Sequence, residues 1–509
     1  MTLLGVDIGT THVKACAYDE DGKFLGASHH DTPTRRHQGG KAEYEAPAPE
    51  RAVFEVIQQV AEQFGPPQAI GVASMAESGF LVDDAGEPLA SAITWFDGRT
   101  TPQAAHWRER LDPIELFSRT GLHLTPRYSA CKLEWHRENT TEAWSKAAGW
   151  LGMSEYLVFR MTGEKSTDPS LASRTMLFNV GDGEWDRKLC GLAVVPPELL
   201  PPVYKAGAAP GRLLSSVAAR LSVPANIPVV VCGHDHVCGA FGAGAVEAGE
   251  IVDSMGTAEA ALITFREPPL DETGFNLNLN VGRHVLPENF YLVAGLPGLG
   301  AAVGWLLRLL EGSEDDLARW TKAAEELVLG EGGVFLPLVR GEENGVSFYG
   351  LGKESRPAHL LRAVLEGLTL EIDAALKRAE RAVETELSSF TVLGGGARNS
   401  LWRQLKAEMS GRPVRAVSEP EFLRGHYGWM RVALVLHSSL LMYLPLCRIP
   451  LVLLRQTYQA HNAPGVEVPE LLSLVRVARC QHDDAPIVDV FQYYGGCGAQ
   501  IAREGFRSL

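Results

Sequence analysis

The stretch that decides the fold lies close to the start of the chain, where residues 3–26 read LLGVDIGTTHVKACAYDEDGKFLG. Two apolar runs, one ending at Asp7 and one beginning at Val13, have the length and composition of β-strands. The Asp-Gly pair in DEDGK (19–23) then favours a tight turn into a third strand. The stretch therefore predicts an antiparallel hairpin with residues 9–11 at its tip, followed by a further strand.

The tip of this hairpin is chemically suited to phosphate. Gly9 leaves the backbone N–H groups approachable, and Thr10 and Thr11 add hydroxyl donors for phosphate oxygens. Lys14 adds a positive charge nearby, and Asp7 offers the hard oxygen ligand that can hold a magnesium ion through water. A plain hairpin with a polar tip is the alternative, and this stretch alone does not decide between the two.

A second stretch repeats the plan of the first about 250 residues later. Residues 250–265 read EIVDSMGTAEAALITF, in which a strand runs to Asp253, Gly256 and Thr257 follow, and another strand resumes. Two such hairpins facing one another would hold a polyphosphate from both sides. The repeat predicts two lobes of similar architecture with a cleft between them.

Composition bounds the class of protein. The 509 residues exceed the usual size of one domain, and 45% apolar with 21% charged residues is ordinary for a globular enzyme. A net charge of -15 argues against a nucleic-acid partner or an anionic membrane. The eight cysteines lack CxxC spacing and indicate reduced thiols, and no signal peptide is evident. We therefore expect a cytoplasmic protein.

Polar residues end two further predicted strands of the first half. AIGVASM (69–75) is a short buried strand that runs into Ala76 and Glu77. SAITWFDGRT (91–100) is predicted as another strand, and its Asp97 and Arg99 favour an internal ion pair. Strand ends of this kind commonly line the ligand crevice of an open α/β sheet.

The most specific strand end is IPVVVCGHDHVCGAFGAG (227–244), where an apolar strand stops at a His-Asp-His run. Asp235 would lie between a strand end and a helix start, a suitable place for a general base acting on an alcohol. A helix N-cap is the alternative role for this carboxylate. Metal binding by the His-Asp-His run is disfavoured, because adjacent side chains on an extended segment point in opposite directions and do not converge on one ion.

A glycine-rich turn follows a strand near the end of the interpretable sequence. FTVLGGGARNSLWRQLKAEMSGRPV (390–414) predicts a strand, a GGGA turn and a helix from about Asn399. Such glycines let a ligand approach the backbone closely. The pattern is neither a Rossmann fingerprint nor a P-loop, so by itself it indicates little.

Five motifs occur in the order seen in the FGGY carbohydrate kinases, namely GVDIGTTHVK, ITWFDGRT, CGHDHVCGAFGAG, DSMGTAE and LGGGARNSLWRQLKAEMSGRPV. The segments 128–135 and 348–368 also resemble the two signature regions of that family. The resemblance implies an α/β, two-lobed actin/hexokinase-like fold with a ribonuclease-H-like domain in each lobe. It further implies an N-terminal kinase domain over 1–243 and a C-terminal, nucleotide-binding domain over 244–421.

The resemblance also implies ATP and Mg²⁺ as cofactors, and a role for each matching residue. Asp7 would coordinate Mg²⁺ through water, and Asp235 would take the proton from the accepting hydroxyl. The remaining implied contacts are Thr10, Thr11, Lys14, Thr257 and Gly300 on the phosphates, and Gly395, Gly396, Ala397 and Asn399 beside the adenosine. Such kinases are frequently homodimers, which leaves a homodimer as the candidate oligomeric state.

The substrate is open between a ketose, a polyol and a sugar acid. The resemblance implies that the substrate is contacted by Ala76, Glu77, Arg127, Asp235 and His236. Arg127 departs from the family signature and either binds a carboxylate of the substrate or pairs with an acid of its own lobe. A non-catalytic or degenerate ATP-binding protein of the same fold is the rival to an active kinase.

The tail 422–509 departs from the family pattern. It contains no lysine but three of the eight cysteines, and it replaces an expected Ala/Gly-rich helix. Its apolar run 432–454 is interrupted by His437, Arg448 and two prolines, so no membrane partner is expected. We hypothesise that the reading frame changes near residue 421, and resequencing of the coding DNA would disprove this if no alternative frame restores that helix.

Overall fold

The structure is a computed structural model of the chain. It describes residues 2–205, 208, 211–255, 259–296, 302–340 and 343–417. These residues belong to one compact unit that spans Met1–His437. The hypothesis about the tail 422–509 stays a prediction, because the tail and its apolar run 432–454 lie outside the described residues.

The first half of the chain contains both strands and helices in alternation. Its strands are β1 Thr2–Ile8, β2 His12–Tyr18, β3 Phe24–Asp31, β4 Arg35–Arg36, β5 Ala42–Tyr44, β6 Pro67–Ser74, β7 Gly79–Val82, β8 Ala92–Ile93, β9 Gly149–Gly152, β10 Phe178–Asn179, β11 Glu184–Trp185, β12 Gly211–Arg212 and β13 Pro228–His234. Its helices are α1 Pro47–Phe64, α2 Thr101–Arg110, α3 Pro113–Thr120, α4 Ser129–Asn139, α5 Thr141–Lys146, α6 Met153–Thr162, α7 Pro169–Ala172, α8 Arg187–Ala193, α9 Ser215–Leu221 and α10 Asp235–Gly242. Short 3₁₀ turns cover Gln38–Gly40, Gly98–Thr100 and Pro197–Leu199.

The predicted hairpin forms the middle of a six-stranded sheet with the order β12-β13-β6-β1-β2-β3. Strand β1 pairs antiparallel with β2 from Leu3 opposite Tyr18 to Ile8 opposite Val13, and β3 continues the ladder. Strands β6 and β13 extend the sheet in parallel on the other side of β1. The hairpin and the third strand predicted from the opening stretch are confirmed.

Helix α1 covers the hairpin because its apolar residues recur at helical spacing. Val53, Ile57 and Val60 are buried and belong to the same core as the strands beneath them. The helix approaches β3 so closely that a Cβ on Gly26 would lie 2.0 Å from the Phe64 ring. Only a glycine can occupy this point of the third strand without displacing the helix.

The second half of the chain repeats the mixture of strands and helices. Its strands are β14 Glu250–Met255, β15 Glu259–Phe265, β16 Asn280–Arg283, β17 Phe290–Leu296, β18 Val334–Arg340, β19 Glu343–Tyr349, β20 Ser389–Leu393 and β21 Val414–Ala416. Its helices are α11 Glu272–Asn276, α12 Ala302–Leu309, α13 Glu314–Glu325, α14 Pro357–Val383 and α15 Ser400–Ser410, with a 3₁₀ turn over Gly396–Arg398.

The second six-stranded sheet has the order β16-β17-β15-β14-β20-β21. Strands β14, β15 and β17 are antiparallel neighbours, and β20 and β21 extend the sheet in parallel from β14. The first sheet likewise has three antiparallel and two parallel pairings between neighbouring strands. The second hairpin therefore heads a lobe of similar architecture, as its sequence predicts.

Each sheet has its own hydrophobic core, and the two lobes are joined by side chains that cross between them. Phe117 and Phe178 belong to the first half of the chain but are buried in the core of the second sheet. The Arg283 side chain of β16 returns the contact, because its Nε donates to the carbonyl of Val180 at 2.6 Å. The middle of the first half thus packs on the outer strand of the second lobe.

One predicted strand is wrong in its extent. The segment 91–100 was expected to be a strand throughout, but only Ala92–Ile93 pairs before the chain turns. The carboxylate of Asp97 causes the turn, since it accepts from the backbone N–H groups of Ala42 at 2.7 Å and Arg99 at 2.8 Å. Among the helices of the described residues, none combines the length and the apolar character needed to cross a membrane.

Candidate active site

Three strands of the first sheet end side by side and bring the predicted site residues to one edge. Ile8 at the end of β1 pairs with Ser74 at the end of β6, which in turn pairs with His234 at the end of β13. The strands are parallel, so the segments that follow them leave the sheet at the same edge. The tip 9–11, the Ala76–Glu77 pair and Asp235 therefore follow adjacent strand ends.

The hairpin tip is held from several directions. The N–H of Gly9 donates to the carbonyl of His12 at 3.0 Å, and the hydroxyl of Thr32 donates to the Gly9 carbonyl at 2.7 Å. The indole Nε1 of Trp95 donates to the Thr10 hydroxyl oxygen at 2.9 Å. These bonds hold the polar tip in place, with its Thr11 residue exposed to solvent.

Asp7 and Lys14 lie directly opposite each other in the ladder of the hairpin, next to its tip. Both residues are half-buried. The described residues contain no group of three or more His, Cys, Asp or Glu side chains arranged around a metal ion. A single carboxylate beside phosphate donors fits Mg²⁺, which keeps most of its waters and binds one or two carboxylates together with substrate phosphates.

Asp235 is the first residue of α10, and its side chain is 18% exposed. Its Oδ1 lies 3.2 Å from Nε2 of His234 and accepts from the backbone N–H of His236 at 2.6 Å. Burial lowers the pKa of His234 to about 4, so a neutral imidazole lies beside the carboxylate at pH 7. The N-cap of α10 is His234, so the alternative of an N-capping Asp235 is wrong.

His236 is the exposed member of the His-Asp-His run, with its ring centroid 5.6 Å from that of His234. Ala76 is buried and lines a small cavity together with Glu77, Trp150 and Glu155. A buried Ala76 presents little surface to a substrate, whereas His236 is freely accessible. Of these two predicted substrate contacts, the side chain of His236 is accessible and that of Ala76 is not.

Glu77 lies at the centre of a buried group of charges. Its Oε1 is 2.6 Å from Nη2 of Arg174, and its carbonyl accepts from Nζ of Lys132 at 2.7 Å. Burial alone would raise the pKa of Glu77, but the charge of Arg174 holds it below the ordinary value. The residue has a φ of 64°, a left-handed conformation that these contacts maintain.

Arg127 lies beside this group without a carboxylate of its own. Its guanidinium carbon is 5.9 Å from the centroid of the Trp95 ring, and its side chain is half-buried. No acid in the described part of the chain pairs with it, which leaves the second of its two predicted roles unsupported. By contrast, the expected ion pair of Asp97 and Arg99 is present, at 2.7 Å.

The glycine-rich turn of the second lobe follows β20, the parallel neighbour of β14. Gly394 has a φ of 90°, and a Cβ there would lie 2.9 Å from the Met255 carbonyl oxygen. A Cβ on Gly395 would meet nothing within 4 Å, whereas one on Gly396 would lie 2.7 Å from the Trp402 ring. The turn is therefore open to a ligand at Gly395.

The other two predicted residues of this turn have structural contacts. Ala397 is buried in the core of the second lobe, and Asn399 caps α15 by accepting from the N–H of Trp402 at 3.0 Å. Both support the turn from below. Thr257 and Gly300, which the sequence assigns to the phosphates, lie outside the described residues.

Beneath the second hairpin lies a fully buried triad of charged residues, Asp253, Glu259 and Lys406. Nζ of Lys406 is 2.7 Å from Oδ2 of Asp253 and also pairs with Oε1 of Glu259. Burial and the neighbouring charge of Asp253 raise the pKa of Glu259 to about 7. Burial opposes the charged form of Lys406, but the two carboxylates raise its pKa above the ordinary value.

Sequence reasoning missed several of these partners. Arg174 lies far along the chain from Glu77, and none of the quoted motifs contains it. Lys406 is part of the stretch 390–414, Lys132 is part of the segment 128–135, and His234 adjoins the predicted base, so these three had a signal in the sequence that did not reveal their partners.

Two family models match the chain. The model described as FGGY family of carbohydrate kinases, N-terminal domain, matches residues 2–242, and the corresponding C-terminal domain matches residues 252–423. The chain is 27% identical over 425 residues to the xylulose kinase of Bacillus subtilis (strain 168), which covers 80% of this chain and 83% of the relative. It is 26% identical over 426 residues to the L-fuculokinase of Escherichia coli (strain K12), with coverages of 82% and 89%.

Solved structures share the fold. A xylulose kinase from Rhodospirillum rubrum superimposes with a TM-score of 0.79 at 24% identity, over 86% of this chain and 90% of that one. A Plasmodium falciparum glycerol kinase with ADP gives a TM-score of 0.78 at 18% identity, over 95% and 99% of the two chains. The predicted two-lobed actin/hexokinase-like fold is confirmed.

Proposed function

Because the chain belongs to the FGGY family of carbohydrate kinases, we propose that it phosphorylates a hydroxyl of a small carbohydrate with MgATP, using Asp235 as the general base. The observation that supports this most strongly is the position of Asp235. Its carboxylate is partly exposed at the sheet edge that carries the phosphate-suited tip 9–11, and Nε2 of the neutral His234 lies 3.2 Å from it. The relatives named xylulose kinase, gluconokinase and L-fuculokinase support a carbohydrate acceptor.

The proposed reaction is an in-line phosphoryl transfer. The hydroxyl of the carbohydrate gives its proton to the carboxylate of Asp235, and its oxygen attacks the γ-phosphorus. The bond from the γ-phosphorus to the bridging oxygen breaks as the new bond forms, and ADP leaves with that oxygen. Asp235 needs only to accept one proton, so one oriented carboxylate is sufficient.

The phosphate side of the proposal uses the first hairpin. The hydroxyls of Thr10 and Thr11 and the ammonium of Lys14 would contact the β- and γ-phosphates. Asp7 would hold, through water, the magnesium ion that enters with the nucleotide, and that ion would supply positive charge to the phosphates. The bonds that fix the tip keep these donors in place before the nucleotide arrives.

The lobes would divide the work between them. We propose that residues 1–243 bind the carbohydrate and the transferred phosphate, and that residues 244–421 bind the nucleotide. Gly395 and Gly396 would border the adenosine, since the turn is exposed there, while Ala397 and Asn399 support it. On the carbohydrate side, Glu77 and His236 are the proposed contacts, while Ala76 offers its backbone.

The test is ADP release across polyols, ketoses and sugar acids, with Asp235→Asn beside the wild type. We expect turnover with one compound, and a loss in kcat of roughly 10²- to 10⁴-fold in the variant because the base is absent. Asp84→Asn, at an exposed turn, is the matched control and should retain full activity. An Asp235→Asn enzyme with wild-type kcat would refute the assigned base.

A further inference from the structure

We infer that the carbohydrate substrate is a sugar acid, whose carboxylate binds Arg127. This inference rests on the proposed function, because it concerns the acceptor of the same reaction. It narrows the three substrate classes that the sequence leaves open to one. The evidence is the balance of charge around Arg127 and the position of its guanidinium group.

The first step is that Arg127 differs from the other arginines near the site. Arg99 pairs with Asp97 at 2.7 Å, and Arg174 pairs with Glu77 at 2.6 Å. Arg127 is half-buried, yet within the described residues no carboxylate lies within ion-pair distance of it. A guanidinium carries five fixed donors and a permanent charge, so a half-buried one without an acid favours an anionic ligand.

The acid in the group of charges around Arg127, Glu77, is already paired with another arginine. We define the Glu77 cluster as Glu77, Arg127, Lys132 and Arg174. Arg174 neutralises the carboxylate of Glu77, and Lys132 donates to the carbonyl of the same residue. The charge of Arg127 acts on both neighbours, because it adds to the effect of Arg174 on the pKa of Glu77 and to the burial that lowers the pKa of Lys132 to about 7. Two arginines and a partly charged Lys132 therefore surround one carboxylate, and the cluster has an excess of positive charge.

The guanidinium group of Arg127 lies against an aromatic side chain. Arg127 lies over the ring of Trp95, and the indole of Trp95 donates to Thr10 at the hairpin tip. Arg127 is thus connected, through Trp95, to the tip where the phosphate would be transferred. The aromatic ring beneath it limits the rotation of the guanidinium and prepares it for a planar partner.

A carboxylate matches this arrangement better than a hydroxyl does. Two parallel N–H···O bonds from arginine to a carboxylate give both charge neutralisation and orientation. A neutral polyol or ketose would cover the guanidinium without supplying the missing charge. Asp235 remains available as the base, because its contacts are to His234 and His236 and not to Arg127.

The test uses matched pairs of ligands that differ only in charge. Five- and six-carbon aldonates, such as D-xylonate and D-gluconate, are compared with the alditols of the same hydroxyl configuration, xylitol and D-glucitol. Binding to the full chain is measured by calorimetry, and turnover is measured by ADP release. We expect one aldonate to exceed its alditol in affinity and in kcat/KM by roughly 10- to 100-fold, as for a charged hydrogen bond.

Variants of Arg127 test whether this residue causes the preference for the aldonate over the alditol. Arg127→Gln should remove the advantage of the aldonate and leave the weak binding of the alditol unchanged, whereas Arg127→Lys should restore part of it. Arg220→Gln is the matched control, because the Arg220 guanidinium also lies over an aromatic ring, 4.5 Å from the Phe54 centroid, but away from the cluster. Melting temperatures of all variants show whether each one is folded.

Every other outcome contradicts either the inference or the proposed function on which it rests. Equal binding of aldonate and alditol, or binding of neither, excludes a carboxylate site. A neutral sugar that is turned over equally well by Arg127→Gln shows a kinase with another substrate class. If Arg127→Gln raises only the KM for MgATP, Arg127 binds the phosphates of the nucleotide and not a carboxylate of the carbohydrate. Aldonate binding that depends on Arg127 without ADP release would instead contradict the proposed function and leave the carboxylate site standing.

Discussion

The two hairpins place an aspartate at comparable points of their first strands, but the two carboxylates have different surroundings. Asp7 of β1 is half-buried next to a tip of phosphate donors. Asp253 of β14 is fully buried and pairs with Lys406 at 2.7 Å. The same strand plan therefore places an acid next to a polar tip in one lobe and an acid in the interior of the other. A repeated motif predicts repeated architecture, and the environment decides what each acid does.

Breaking the triad tests the structural side of this comparison and should have the largest effect. Lys406→Met leaves Asp253 and Glu259 buried without a counter-charge, which we expect to cost about 3–5 kcal/mol of unfolding free energy. Chemical denaturation measures this loss. Lys377→Met is the control and should cost under about 1 kcal/mol, because Lys377 is exposed and the buried Asp373 keeps Arg412, at 3.2 Å, as a counter-charge. Similar losses in both variants would contradict a structural role specific to the triad.

Removing the acid of the first hairpin tests the functional side. Asp7→Asn should lower kcat roughly 10- to 100-fold, the usual loss when a group that positions a metal ligand is removed. The melting temperature should change little, because Asp7 is not part of a buried triad. Asp21→Asn in the adjacent turn controls for a change of charge in the same hairpin. A large loss of stability with unchanged kcat would make Asp7 equivalent to Asp253.

The triad also predicts a dependence of stability on pH. The folded pKa of Glu259 is about 7, above its ordinary value of 4.5, so the folded state holds a proton that the unfolded state has lost. Stability from this group is therefore present below about pH 4.5 and falls as the pH rises to about 7. Denaturation of the wild type and of Glu259→Gln across this window should show that their difference in unfolding free energy shrinks at low pH. A difference that stays constant with pH would mean that Glu259 does not titrate in this window.

The smallest effect is expected at the residue that orients the base. His234→Ala removes the neutral imidazole 3.2 Å from Asp235 but leaves the carboxylate in place. We expect a loss in kcat of up to roughly tenfold, in keeping with the removal of one neutral polar neighbour. His236→Ala, an exposed neighbour, separates this effect from a change in the carbohydrate contact, which would raise KM instead. A loss as large as that of Asp235→Asn would make the imidazole part of the base.

Local sequence patterns were enough for the elements that carry the site. The alternation at β1 and β2, the apolar run of β13 and the glycines after β20 predicted strands that the structure confirms. The segment 91–100 failed because the carboxylate of Asp97 satisfies two backbone N–H groups and turns the chain. A side chain that captures backbone donors overrides strand propensity, and its partner at Ala42 is 55 residues away.

The sequence by itself determined the two lobes, the phosphate-suited tip at residues 9–11 and the carboxylate of Asp235, because each depends on neighbours a few residues apart. Only the tertiary structure decided that Glu77 pairs with Arg174 and Asp253 with Lys406, and that no acid among the described residues pairs with Arg127. Ion pairs join side chains that are distant in the chain, and no local periodicity encodes which charge meets which. Packing therefore selects the partners after the strands have formed.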